Sequence, residues 1–350
     1  MTSRSKTSPL IGTVVGLLTV TIGLALFVYT VHQTGIEEIL GGLQRVGLGF
    51  FLILILSGIR ELTRSTAWIR SIEPPYHLPL GDALAARTTG EALGNVTPLG
   101  LLLSEPSKAT FVGALVPPLV AFSALAAEQI LYSLSVAILI ASGLAVFILS
   151  YPLPEGLQII AMVALSGFVS LALGGTWLIR AEPKVVTGLI SKLAKLGLVG
   201  SFLESYIEDI RTTEERIFNI YKKTPGLLLE LSLLELIFHV AGIAETYITL
   251  ALLGDSVVPT LTTAFILESV NRAINVIFKF IPFRLGVDEV GTGIVSQVLG
   301  YGTTVGVTLA IVRKARVLCW SSLGIVLFIR HRTSIKTLLA KVTSRETRDL

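Results

Sequence analysis

The sequence predicts an all-α fold: a polytopic integral membrane bundle of about six to eight spans, two of its helical segments interrupted or re-entrant. Three observations carry that reading. Of 350 residues, 52% are hydrophobic and only 15% charged, and the mean hydropathy is +0.77, outside the range of a soluble domain. Apolar runs long enough to span alternate with loops that collect the basic residues. Two further stretches carry charges at helical spacing and then break at proline and glycine.

The clearer of these stretches is ESVNRAINVIFKFIPFRLGVDE, from Glu268 to Glu289. Glu268, Arg272, Asn275 and Lys279 follow one another at steps of four, three and four, so a helix carries them on one face beside Asn271. The helix is expected to stop near Pro282, and a link through Gly286 leads to Asp288 and Glu289. A charge in the hydrocarbon core costs about 2.5–3.5 kcal/mol on insertion scales, so such residues face a cavity or one another. The second stretch, LGDALAARTTGEALGNVTPLGLLLSEPSK, places Arg87, Glu91 and Asn95 on one helical face, breaks at Pro98 and Gly100, and continues to Glu105 and Lys108. In both, a glutamate stands seven residues after the breaking proline, in PLGLLLSE (98–105) and PFRLGVDE (282–289). Paired, interrupted segments in two halves are the sequence mark of a transporter site at an inverted repeat.

Along the chain, Arg4 and Lys6 precede a first span from Leu10 to Val31. Gly35 to Val46 reads as a short amphipathic helix, and Gly47 to Ala67 as the next span, with Arg60, Arg64 and Arg70 at its inner end, the first two snorkelling to the interface. The proline-rich IEPPYHLPLG cannot be one helix. Phe111 to Leu149 holds an entry segment and a full span containing Glu128 and Gln129, and Leu157 to Ile179 is another. One membrane domain therefore divides into a first half at 10–180, a polar connector at 181–225, a second half at 226–330 and a tail at 331–350. In the second half, Glu235 and His239 are spaced to meet on one face, a pairing more often structural than a proton relay. The stretch from Gly286 to Tyr301 must cross or nearly cross the bilayer if the tail is to lie inside. Arg313, Lys314 and Arg316 lie near the middle of the last span, and Arg313 and Arg316 share a face expected to pack toward Asp288 and Glu289.

Some chemistry is excluded. The single cysteine, Cys319, gives no disulfide framework and reads as a small packing residue, and His32, His77, His239 and His331 are too scattered for a zinc site. The basic balance follows membrane topology rather than a nucleic-acid face. No cofactor and no nucleic-acid partner is expected.

At these same residues the chain resembles the lysylphosphatidylglycerol synthase transmembrane family, also called flippase-like membrane proteins. GEALGNVTP followed by Glu105-Pro106-Ser107-Lys108 is similar to the family's first-half pattern, with Lys108 in place of an arginine and Leu103-Ser104 in place of a glycine pair. Glu128-Gln129 resembles its Glu-Arg pair, and IPFRLGVDE its second-half P-G-x-L-G-V-x-E, with Phe283-Arg284 where glycines are common. VRKAR (312–316) is most similar to the branch linked to hopanoid biosynthesis. The resemblance implies handling of a polar-headed or isoprenoid lipid, hopanoid or polyprenyl-linked types included. Members with a fused aminoacyl-transfer domain carry it after the membrane part; here about twenty residues follow the last span, so lysyl transfer is not expected.

Three functional readings follow. The first is a lipid flippase or transporter in the cytoplasmic membrane, with Arg87, Glu91, Asn95, Glu105, Lys108, Glu128, Glu268, Arg272, Asn275, Asp288, Glu289, Arg313 and Arg316 along the headgroup path. The second is an intramembrane headgroup enzyme using Glu105 and Glu289 as acid and base. The third is a non-catalytic partner of lipid-biosynthesis enzymes. The basic bias of residues 1–9, 180–225 and 330–350 predicts that both termini are cytoplasmic. Cysteines introduced at Ser3 and Ser344 should therefore escape an impermeant reagent added to intact cells; strong labelling at either position overturns the topology.

Overall fold

The computed structural model describes residues 28–29, 32, 36–96, 100–180, 187–188, 207–223, 226–253 and 258–346. Most of the expected first span, the break at Pro98, most of the connector and residues 254–257 lie outside the described residues. The described residues are mostly helical. In chain order the helices are α1 (Ile36–Val46), α2 (Gly49–Ser71), α3 (Leu80–Val96), α4 (Gly100–Phe111), α5 (Pro118–Ser150), α6 (Glu155–Arg180), α7 (Ile207–Lys223), α8 (Leu227–Leu253), α9 (Leu261–Ile277), α10 (Val287–Val298) and α11 (Thr303–Glu346). A single 3-10 turn, Pro282–Arg284, sits between α9 and α10.

Local chemistry sets the boundaries. Gly47, at φ +42, turns the chain between α1 and α2, which meet at 74°. Pro118 opens α5 at a position where its missing N–H costs nothing. Thr260 caps α9: its hydroxyl accepts the Thr263 amide at 3.1 Å, and the Thr263 hydroxyl accepts the Thr260 amide at 3.1 Å. By length and composition α5, α6 and α8 can cross a membrane, and the bent α1–α2 pair makes a fourth candidate among the described residues. Helices α2 and α11 both carry charges midway along their apolar runs.

The two halves repeat one plan: a long helix, a 17-residue helix, a 12-residue helix and a second long helix, α2–α5 and then α8–α11. Their packing is exchanged between halves. Helix α2 packs on α8, while α3 packs on α11 and α9 on α5. The exchanged contacts use the same device. Thr89 donates to the carbonyl of Gly324 at 3.1 Å, and Ser269 donates to the carbonyl of Leu139 at 3.2 Å. A Cβ on Gly324 would lie 2.8 Å from the Thr88 carbonyl carbon, and one on Gly143 would overlap the Ser269 side chain. Small residues let helix backbones approach where lipid gives no hydrophobic drive between helices.

Two apolar cores lie at opposite ends of the bundle. One gathers Ile53, Phe147, Leu250, Ile266 and Leu309; the other gathers Trp68, Ala83, Val112, Val116 and Leu125. The polar residues of α2, α5 and α8 lie between them. Two expectations change here. Helix α9 ends at Ile277 rather than near Pro282, so Lys279 belongs to the link and not to the helical face. Helix α10 rises only about 18 Å, short of the ~30 Å hydrocarbon core, so Gly286 to Tyr301 does not cross alone. Helix α4, also 12 residues, is equally short.

Leucine at Gly324 or Gly143 should separate the halves, at a cost of about 1–3 kcal/mol each. Leucine at Gly167, where a new Cβ meets nothing within 4 Å, should be silent. Thermal unfolding in detergent distinguishes the three; equal effects would refute the packing argument.

Candidate functional site

The polar layer begins on α2. Arg60 and Arg64 were expected to reach the interface, yet they are 7% and 6% exposed. The reason is that α2 runs on to Ser71 and buries Trp68 in the next turn, so the arginines lie inside the bundle rather than at its end. Both find carboxylates instead. Arg64 clasps Glu128 of α5 with two nitrogens, one bond at 2.9 Å, and donates to the Gln129 amide oxygen at 3.0 Å. Arg60 donates to Glu245 of α8 at 2.9 Å, and Arg316 of α11 closes on the same carboxylate. Aromatic rings complete the setting. The Arg64 guanidinium lies 3.5 Å from the Tyr132 ring centre, while Arg60 and Arg272 lie 4.6 and 4.9 Å from that of Phe238.

The two stripes supply the facing walls. On α3, Arg87 donates to Glu91 at 3.1 Å and stands 3.9 Å from Glu128. On α9, Arg272 donates to Glu268 at 2.8 Å. Arg87 and Glu91 sit as far into α3 as Glu268 and Arg272 sit into α9, with the charges reversed. Glu268 also accepts from Thr246 at 3.1 Å and lies 3.9 Å from Arg313. Asn275 donates to Asn271 at 3.1 Å. Helix α4 adds Lys108, 2.8 Å from Glu105 and 3.9 Å from Glu91.

The α9–α10 link is strained. Phe283 and Arg284 both hold positive φ, at 51° and 52°, a conformation worth roughly 1–3 kcal/mol of strain per non-glycine residue and concentrated at functional sites. Glu289 accepts the Gly286 amide at 2.8 Å, pinning the start of α10. The last-span cations do not pair as expected. Lys314, not Arg313 or Arg316, reaches the break, 2.9 Å from Glu289 and 3.4 Å from Asp288. Arg316 goes to Glu245 of α8, and Arg313, which donates to Thr246 at 3.2 Å and to Thr292 of α10 at 3.5 Å, lies 3.9 Å from Glu268. Cys319, read as a packing residue, is exposed.

These elements enclose a cavity of about 810 Å³. Of the sequence-predicted residues, Arg87, Glu91, Asn95, Glu105, Lys108, Arg272, Asn275 and Arg316 line it. Glu128 and Glu268 stand one layer behind, each holding an arginine of the wall. Asp288 and Arg313 border a small adjoining recess, and Glu289 is fully buried. Sequence reasoning missed Arg60, Glu61, Arg64, Phe238 and Arg284 as wall residues, and Glu245 as an anchor. The four-residue step from Arg60 to Arg64 was the available signal. Eight cationic side chains and three carboxylates face the space. Among the described residues Lys279 and Arg284 make no ion pair, and the buried Arg87 leaves Nε and Nη1 without a hydrogen-bond partner. On one side the wall is apolar: Phe168 and Leu171 of α6, a helix packed mainly on α5. No group of three or more His, Cys, Asp or Glu side chains among the described residues could hold a metal ion.

Among the described residues the fold is a helical bundle with apolar helices long enough to cross a membrane and a cation-rich cavity between them, the class of a helical membrane protein. Residues 13–341 match the lysylphosphatidylglycerol synthase TM region, and the chain belongs to that family. No curated protein and no solved structure matches it significantly.

The anchors make a quantitative prediction. Glu245→Gln strands Arg60 and Arg316 and should cost about 3–5 kcal/mol of stability, part of it recovered by Arg316→Gln in the same chain. Glu289→Gln and Arg316→Gln, by contrast, should add independently. Thermal shifts of the single and double variants decide; coupling between residues 289 and 316 would contradict the pairing described.

Proposed function

We propose that this protein moves a lipid with an anionic headgroup across the cytoplasmic membrane without changing it chemically. The carrying observation is the excess of cations on the cavity wall, including Lys279, Arg284 and Arg87, two of whose buried nitrogens have no hydrogen-bond partner. Cations at membrane depth need an acid or an anionic ligand, and guanidinium groups suit phosphate or carboxylate oxygens. The apolar side at α6 offers a way for acyl or isoprenoid tails to remain in the bilayer while the headgroup travels the polar layer. Membership in a lipid-handling family supports the reading. The enzyme reading is less well supported, because Glu289 is wholly buried against Gly286 and Lys314, away from Glu105 in the cavity wall. The role of partner to lipid-biosynthesis enzymes needs no such cavity.

The test is reconstitution into vesicles with fluorescent lipids whose headgroups are anionic, zwitterionic or cationic, read by accessibility to an impermeant quencher. The anionic probe should move fastest. A Lys279→Gln/Arg284→Gln protein should move it about tenfold or more slowly, the loss expected for one or two charged hydrogen bonds. Movement blind to headgroup charge, or a chemically altered probe, would defeat the proposal.

A further inference from the structure

Directly behind the cavity wall lies a group that the headgroup path does not use. Among the buried acids, Glu128, Glu245, Glu268, Asp288 and Glu289 each face a cation. Glu235 of α8, 4% exposed, has none within ion-pair distance among the described residues, and its carboxylate accepts only the Ser135 hydroxyl, at 3.3 Å. The same hydroxyl lies 3.0 Å from Nε2 of His239, one turn along α8. The other ring nitrogen, Nδ1, is buried without a partner. A hydroxyl both donates and accepts, so carboxylate, hydroxyl and imidazole form a continuous chain along which one proton can sit at either end.

This chain touches the cavity through aromatic rings. His239 packs edge-on against Phe238 at 5.3 Å between centres, and Phe238 packs edge-on against Tyr132 at 5.5 Å. Phe238 and Tyr132 are themselves wall residues. The charges facing the chain are Arg60 and Arg64 on α2, Glu128 on α5 and Arg87 on α3, with Arg272 of α9 4.9 Å from the Phe238 ring centre. On α11, Arg316 is held by Glu245.

Resting on the reading of the cavity as a headgroup path, we propose that Glu235, Ser135 and His239 form a proton-binding site coupled to it, so that one proton travels with each anionic headgroup. The coupling is electrostatic. With the cavity empty, the eight wall cations outnumber the three wall carboxylates and disfavour a further positive charge nearby, and an anion among them removes part of that repulsion. By linkage, a proton on the chain then strengthens anion binding by the same factor. The proton binds and leaves with no bond of the lipid made or broken, and the net movement carries no charge.

The experiment uses the full chain in vesicles, with acyl-labelled fluorescent phosphatidylglycerol as the probe. If one proton moves per lipid, a gradient of one pH unit should bias the probe between leaflets up to about tenfold, and a potassium diffusion potential should not. His239→Gln and Glu235→Gln should abolish the bias. In parallel, adding short-chain phosphatidylglycerol to the detergent-solubilised wild-type protein in weak buffer should draw protons from solution, which needs no variant to fold. A probe that moves but ignores the pH gradient, or binding without proton uptake, overturns the coupling and leaves the transport reading intact. A bias that persists in both variants overturns the assignment to these residues. A protein that neither binds nor moves any lipid refutes the transport reading and the coupling with it.

Discussion

The structure depends on neutralising charge where water is scarce. Arg60, Glu245 and Arg316 form its centre, one carboxylate of α8 holding a guanidinium from α2 and another from α11. Removing water from charges costs several kcal/mol per ion even after relaxation, and only close, well-formed pairing offsets it. The long helices are fixed in rotation by this requirement, since each must turn its charges inward. The apolar cores at either end can then fill with ordinary aliphatic packing.

Part of this was legible in the sequence, because periodicity survives without coordinates. The step of four from Arg87 to Glu91 and from Glu268 to Arg272 located both stripes, and the broken segments fell where short helices follow longer ones. Partners were harder to read. Lys314 and Arg316 differ by two residues, so α11 turns them to different sides, and sequence order alone sent the wrong one to Glu289. Glu245 was hidden inside a run apolar enough to pass as an ordinary span, and nothing near it in sequence pairs with it. Arg60 and Arg64 were misplaced because the span was ended too early: the turns after Arg64 look polar but bury Trp68 and Ser71 against α5 and α3.

Strain and charge meet at one place. The positive φ values of Phe283 and Arg284 turn the α9–α10 link so that Lys279 and Arg284 come to the cavity while Asp288 and Glu289 stay behind with Lys314. With Phe283 and Arg284 at these positions the chain accepts a strained backbone and brings a cation to the wall. The cations of this link are thus set apart from the ion pairs that hold the bundle together.

The charge reversal between the halves has a consequence for how such a chain can arise. Arg87 and Glu91 match Glu268 and Arg272 in position but not in sign, and Arg60 crosses the α2–α8 interface to meet Glu245. A symmetric pair of first halves would have to close that interface on two sets of arginines, whereas the second half carries both Glu245 and, in Arg316, a partner of its own. Joined in one polypeptide, the two halves are free to differ in sign, and the Arg60–Glu245 contact between them takes one of each. The covalent tether guarantees that stoichiometry, which free half-sized subunits would have to reach by chance encounter.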